Sequence, residues 1–166
     1  MEEENLFTKN CIRTYTGKYL NVKDPQPDQI DIVDIAVGLS RVPRFAAHSK
    51  KHLRVAQHCI YMSKMVSDDH KMAALLHDAS EAYLGDVPGP AKKFMPGYRK
   101  VEDRIMRVIA EKYGFQYPLH DEVREADREM LVFEWETRVL RHRPGNMTEK
   151  QSKKLFLERF FELSTI

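Results

Sequence analysis

Between residues 70 and 84 the chain places apolar side chains on nearly every face of a helical wheel: Met72, Ala73, Leu75, Leu76, Ala79, Ala82 and Tyr83. A helix apolar nearly all round is a buried, central one, so the remaining segments must wrap it. The spacing predicts a helix over 70–84. Gly85-Asp86-Val87-Pro88-Gly89-Pro90 ends it, because proline removes a backbone donor and cannot continue the helix. Within this apolar run stand His77, Asp78 and Glu81. In a regular α-helix His77 and Glu81 share a face, with Asp78 beside them. Burying such ions without partners costs on the order of several kcal/mol each. A divalent cation compensates that cost directly. An Arg or Lys from another helix would do so too, and these three residues taken alone do not choose between the two.

The other periodic segments supply the wrapping. Residues 31–40 carry Ile32, Ile35, Ala36 and Leu39 on one face, and residues 52–67 carry Val55, Cys59, Met62 and Val66 at helical spacing. A helix over 98–113 is marked by Val101, Ile105, Val108 and Ile109, with Gly114 placed to cap its C-terminus. Two more are predicted over 120–140 and 148–163, the last opened by the capping-box sequence Thr148-Glu149-Lys150-Gln151. Near the N-terminus, β-prone residues flank Tyr15-Thr16-Gly17-Lys18, which fits a short hairpin over 12–22. The expectation is an all-α helical bundle with a short N-terminal β-hairpin, one domain over residues 1–166.

Composition narrows the function classes. No stretch approaches the apolar length that crosses a bilayer, and the opening Met1-Glu2-Glu3-Glu4 is acidic where a signal peptide is basic. A cytoplasmic protein is expected. Cys11 and Cys59 lack a CxxC spacing and read as small apolar residues in a reducing compartment. A net charge of +2 is too small to argue for nucleic-acid binding, which is not expected, and it allows a local basic pocket for phosphate. Arg141-His142-Arg143 and the lysines of 150–154 lack the interleaved aromatics of a single-strand groove and read as solvated helix ends.

Two further helices bring metal-competent groups inward. His58 lies between Val55 and Met62, and Asp127 between Val123 and Met130, each on the apolar side of its helix. Singly, each reads as a satisfied core histidine or a salt-bridged aspartate, with Arg124 or Arg128 available to pair Asp127. Three helices converging with two imidazoles and two carboxylates form a borderline site for zinc, manganese, cobalt or iron.

His58, His77-Asp78 and Asp127 together resemble the H…HD…D pattern of HD-domain phosphohydrolases. The resemblance extends through Val55-Ala56-Gln57-His58. The run from Leu76 to Pro88, of the form HDASE…GD.P, resembles the bacterial 5′-deoxynucleotidase branch and small phage dATP triphosphohydrolases. It covers about residues 35–134. The resemblance implies that His58, His77, Asp78 and Asp127 bind a divalent metal (zinc, cobalt, manganese or magnesium). It implies that Glu81 orients or deprotonates the attacking water and that Asp86 sits near the sugar or the water. It also places a phosphate-binding arginine near Arg44, although Arg41-Val42-Pro43-Arg44-Phe45 offers two arginines. Where that branch has a tryptophan beside its arginine, this chain has Phe45, and its only tryptophan, Trp135, lies far along the sequence.

The implied activity is release of phosphate from a deoxynucleoside 5′-monophosphate, with Arg44, Phe45 and Lys92 contacting substrate and Lys93 as a second basic candidate, although both lysines read more readily as solvated surface. A deoxynucleoside triphosphohydrolase is the alternative, drawing on Lys50, Lys51, Arg54, Lys92 and Lys93. A non-catalytic nucleotide sensor is a further one. His48 and His52 read as loop residues. Leu155, Phe156, Phe160 and Phe161 of the last helix either close the core or form the interface of a homo-oligomer.

Overall fold

The computed structural model describes residues 9–165, so the acidic opening Met1-Glu2-Glu3-Glu4 lies outside the described residues. The predicted hairpin is present as β1 (Cys11–Arg13) and β2 (Tyr19–Asn21), antiparallel with Ile12 opposite Leu20. Gly17 takes φ +90 in the turn, a conformation open to a residue without Cβ. The Asp34 carboxylate accepts from the Thr16 amide at 2.7 Å and the Thr16 hydroxyl at 2.8 Å, which docks the hairpin on the first helix.

That helix, α1 (Ile32–Arg41), starts where the Asp31 side chain accepts from the Val33 amide at 2.9 Å. The next, α2 (Val55–Met62), is shorter than the predicted 52–67. Its start is fixed by Arg54, extended in an isolated bridge to Pro43. Its end is fixed by the Arg159 guanidinium, which donates to both the Ser63 hydroxyl and the Ser63 carbonyl at 3.0 Å. A side-chain donor thus satisfies a carbonyl exposed at the helix end.

The central helix departs from expectation. It runs as α3 (Lys71–Leu76), a tight turn over 77–80, and α4 (Glu81–Leu84). Across the turn the backbone bonds step three residues rather than four: Ala79 donates to Leu76, Glu81 to Asp78 and Ala82 to Ala79. An all-round apolar pattern marks burial but carries no period to report such a tightening. Beyond Gly85 come α5 (Gly89–Lys92) and α6 (Tyr98–Tyr113), capped by Gly114 as predicted. The predicted 120–140 helix is α-helical only as α7 (Asp121–Glu134) and widens to a π-turn over Trp135–Leu140. There the Thr137 hydroxyl captures the Phe133 carbonyl at 2.6 Å and competes with the helical amide. Last is α8 (Glu149–Ser164), with the Thr148–Gln151 capping box formed.

The architecture is all-α with one N-terminal hairpin. α2 lies against α1, α3, α7 and α8, while α1 packs on α4 and α8. A Cβ on Gly38 would lie 2.7 Å from the Ala82 carbonyl oxygen, so the absent side chain lets α1 approach α4. In α8, Phe156 and Phe160 close the core at 0% and 7% exposure, whereas Leu155 and Phe161 face outward. The two readings of those residues thus divide between them. Among the described residues no helix is long and apolar enough to cross a membrane.

Candidate metal centre

His58, His77, Asp78 and Asp127 arrive from α2, the turn after α3, and α7, and converge. The His58 and His77 Nε2 atoms lie 3.2 Å apart. Asp127 Oδ1 is 3.2 Å from His58 Nε2 and 3.7 Å from His77 Nε2. Asp78 Oδ2 is 3.1 Å from His77 Nε2 and 3.8 Å from His58 Nε2. Ligands bonded at roughly 2.0–2.2 Å to one ion stand about 3.0–3.5 Å from one another, close to these separations. His58, His77 and Asp127 form a group able to hold a metal ion.

Hydrogen bonding makes the argument stronger. His77 Nδ1 faces the Ala74 carbonyl at 2.7 Å, an atom that can only accept, so that nitrogen carries a proton. His58 Nδ1 faces the Glu134 carboxylate at 3.1 Å and likewise donates. Both neutral rings then aim bare Nε2 lone pairs at each other. Two lone pairs at 3.2 Å repel unless positive charge lies between them, either a metal ion or an extra proton. Titration behaviour agrees. Burial alone would depress His77, yet Asp78 and Asp127 drive it well above the ordinary imidazole value. Burial likewise opposes ionisation of Asp78, but His77 and His58 hold it down to about 2. Asp127 is lowered against burial by the positive charge that either of the same two rings carries when protonated. The cluster could hold a cation.

Glu81 opens α4, 5% exposed, with Oε2 buried and lacking a hydrogen-bond partner. The sequence placed His77 in line with Glu81. The tightened turn instead brings positions three apart into register, and Asp78 is the charge acting most strongly on Glu81. Burial first, then Asp78 and Asp86, raise its carboxyl well above the usual range. Asp86 is half-buried and also raised, by burial against the pull of Arg44.

Of the two arginines near residue 44, Arg41 turns outward to Glu149 at 2.8 Å, both half-exposed. Arg44 turns inward: its Nε is 2.8 Å from Glu134 Oε2, off-axis for a hydrogen bond, and NH1 is 3.8 Å from Asp78. Burial opposes its charge, but Glu134 and Asp78 raise its pKa overall. The following residues Phe45, Ala46 and Ala47 all have positive φ (54, 51 and 63), a left-handed turn that costs side-chain-bearing residues roughly 1–2 kcal/mol each. The bridge between Pro43 and Arg54 clips the ends of this loop.

Two cavities flank the cluster. One, about 410 Å³, is polar and lined by His77, Asp78, Lys92, Arg99, Glu102 and Tyr117 among others. Lys92 lies here, 2.7 Å from Glu102, and not on the Arg44 side. The second, about 320 Å³, is mostly apolar and is bounded by Arg44, Phe45, Asp86, Pro88, Pro90, Leu131 and Trp135. Arg54 faces neither, donating to the Met147 and Ser40 carbonyls at 3.1 and 3.0 Å. His48, Lys50, Lys51 and Lys93 are exposed, and His52 contacts Arg54.

No family model matches the chain. Over 123 residues it is 42% identical to YfdR of Escherichia coli K12, an uncharacterized protein, across 74% of this chain and 69% of YfdR. The chain belongs to the YfdR family. An uncharacterized protein of Rhodobacter capsulatus is 31% identical over 124 residues, covering 69% of this chain and 63% of that protein.

In this member of the YfdR family two residues of the site escape any motif. Glu134 is 2% exposed and bridges His58 to Arg44, so one carboxylate orients the imidazole and fixes the arginine. Its signal was an acid seven positions after Asp127 on the same inward face. Trp135 is distant in sequence from Phe45, yet the ring centroids are 5.9 Å apart. Two other groupings are not centres of this kind. Cys59 lies near His77 and Asp78, but burial lifts its thiol to about 11, which disfavours the thiolate. His70 and His120 stack at 4.2 Å and 16°, so their nitrogens run side by side, and Glu122 already accepts from the Ser67 amide and hydroxyl.

Proposed function

We propose that this chain is a metal-dependent phosphohydrolase of the HD type, releasing phosphate from deoxynucleoside 5′-monophosphates. The observation that carries the reading is the pair of opposed Nε2 atoms, 3.2 Å apart with both Nδ1 protons committed elsewhere, ringed by two carboxylates. That donor set fits a borderline divalent ion such as zinc, manganese or cobalt held by His58, His77, Asp78 and Asp127. Such an ion would polarise a phosphate oxygen and make water acidic enough to attack near neutral pH.

The chain's own groups supply the remainder. Glu81, with an unpartnered buried oxygen beside the cluster, accepts the attacking water's proton; burial, then Asp78 and Asp86, raise its affinity for that proton. The Arg44 guanidinium offsets charge on the phosphoryl group, fixed in place by Glu134. Asp86 accepts from a sugar hydroxyl at the mouth of the apolar cavity.

The charge inventory favours a monophosphate over a triphosphate. Arg44 is already opposed by Glu134 and Lys92 by Glu102, and Arg54 is committed to backbone carbonyls. Arg99 remains in the lining of the polar cavity, and one such group is a small cationic surplus for a polyphosphate tail. The test is incubation with manganese, cobalt or zinc and all four deoxynucleoside mono- and triphosphates, with chromatographic separation of products. Nucleoside and orthophosphate from monophosphates is the expected result. Tripolyphosphate from triphosphates would move the chain to the triphosphohydrolase reading. Absence of turnover with every metal would favour a nucleotide sensor, and full activity after exhaustive chelation would remove the metal from the mechanism.

A further inference from the structure

The apolar cavity beside Arg44 brings three kinds of chemistry into one lining. Arg44 lies 3.8 Å from Asp78 and so borders the metal cluster. Asp86 lines the same cavity and acts electrostatically on both Arg44 and Asp78. Phe45 and Trp135 supply the aromatic part of the lining, and Pro88 and Pro90 complete it. A cation, a hydrogen-bond acceptor and an aromatic surface in one cavity are the groups that the phosphate, sugar and base of a nucleotide call for.

The aromatic pair has the shape of a corner. A base sandwiched between two rings needs them about 7 Å apart, twice a carbon–carbon contact. Here the centroids are 5.9 Å apart and tilted by 52°, which leaves no slot between them, and both rings line the cavity. Trp135 remains 48% exposed, a large apolar surface bordering a cavity rather than a packed core ring. Phe45 is held there by three consecutive left-handed residues and by the Arg44 guanidinium 5.4 Å from its ring centroid. Backbone strain of this kind persists where surroundings over-determine it, commonly at ligand clamps.

We infer that this cavity takes the nucleoside of a nucleoside 5′-phosphate, with the base lying on Trp135 and Phe45, and that Trp135 is a specificity-determining residue. The assignment of phosphate to Arg44 rests on the phosphohydrolase reading above. The base site rests on the cavity itself.

Trp135 is the chain's only tryptophan, so its emission reports this cavity alone. Zinc-loaded protein is titrated with deoxyadenosine and with thymidine, which carry no phosphate to hydrolyse, and with 2-deoxyribose as the baseless control. Saturable quenching by at least one nucleoside, and none by the sugar, is the expected result. Phe45→Leu keeps apolar volume but removes the ring; with an unchanged melting temperature it weakens nucleoside binding about tenfold, as base–aromatic stacking predicts. Failure of both nucleosides to quench, or equal quenching by the sugar, overturns the inference. Separate hydrolysis assays keep the two readings apart: quenching without turnover of any phosphate supports the base site and removes the activity, whereas turnover without quenching does the reverse.

Discussion

Glu134 offers the sharpest test of how the site is held together. Its carboxylate is 3% exposed and faces Arg44 Nε at 2.8 Å and His58 Nδ1 at 3.1 Å. Glu134→Ala leaves a buried guanidinium without its nearest counter-charge, a change that typically costs about 3–5 kcal/mol. Asp78, 3.8 Å from Arg44, supplies partial compensation, so the lower end applies. About 3 kcal/mol in a chain of this length corresponds to a melting temperature lower by about 6–12 °C. The same substitution frees the His58 ring, and loss of such an orienting acceptor weakens metal binding about 10–100-fold. With zinc at a hundred times the wild-type Kd, the metal stabilises wild type by about 2.7 kcal/mol and the variant by only about 0.4–1.4 kcal/mol. Thermal melts by circular dichroism, with zinc and with chelator, read both effects. A variant melting within about 2 °C of wild type under both conditions would refute the bridging role.

Other expectations follow from particular contacts. Glu81→Gln should retain bound metal while kcat falls by about 10²–10⁴-fold, checked by metal analysis beside the hydrolysis assay; normal turnover would remove Glu81 from proton transfer. The Tyr83 hydroxyl is buried with no hydrogen-bond partner, and burial raises its pKa. Because the folded state holds that proton more tightly than the unfolded chain, this contribution to stability is complete below pH about 10 and is lost as pH rises above it. Urea midpoints should therefore fall less between pH 8 and 11 for Tyr83→Phe than for wild type, with no loss at neutral pH; identical slopes would contradict this. Gly38→Ala drives a methyl against the Ala82 backbone and should cost about 1–3 kcal/mol in denaturant unfolding, since backbone atoms cannot rotate away. An unchanged unfolding midpoint would mean that α1 can shift without cost.

Much of the fold was legible because it is written in local signals. The hairpin, the Gly114 cap, the Thr148–Gln151 capping box and the α6 periodicity depend on neighbours within a few residues. The convergence of His58, His77, Asp78 and Asp127 was legible from inward-facing positions on separate helices. What escaped depends on contacts far apart in sequence or on backbone detail. The tight turn at 77–80 leaves no mark in an apolar run, and it decides that Asp78 rather than His77 dominates Glu81. Which arginine points inward depends on Glu134 drawing Arg44 and Glu149 drawing Arg41, partners on α7 and α8. Lys92 was read either as a companion of Arg44 or as solvated surface; Glu102 on α6 pairs it in the cavity lined by His77 and Asp78, a contact no local signal reports. Trp135 was set aside for its distance in sequence, and the fold erases that distance.

α7 and the π-turn behind it carry Asp127, Glu134 and Trp135 on one continuous backbone. Seven residues, nearly two whole turns, separate the first two, and the third stands eight residues, about 12 Å of rise, from Asp127. On the proposed function the segment would work as a ruler graduated in substrate parts. Losing one residue between Asp127 and Trp135 would swing everything beyond it by about 100° and shorten the scale by about 1.5 Å. Relatives that change what they accept are thus expected to keep this spacing and to vary the facing loops, 45–47 and 85–90, where a lengthened segment resizes the opening without moving a graduation.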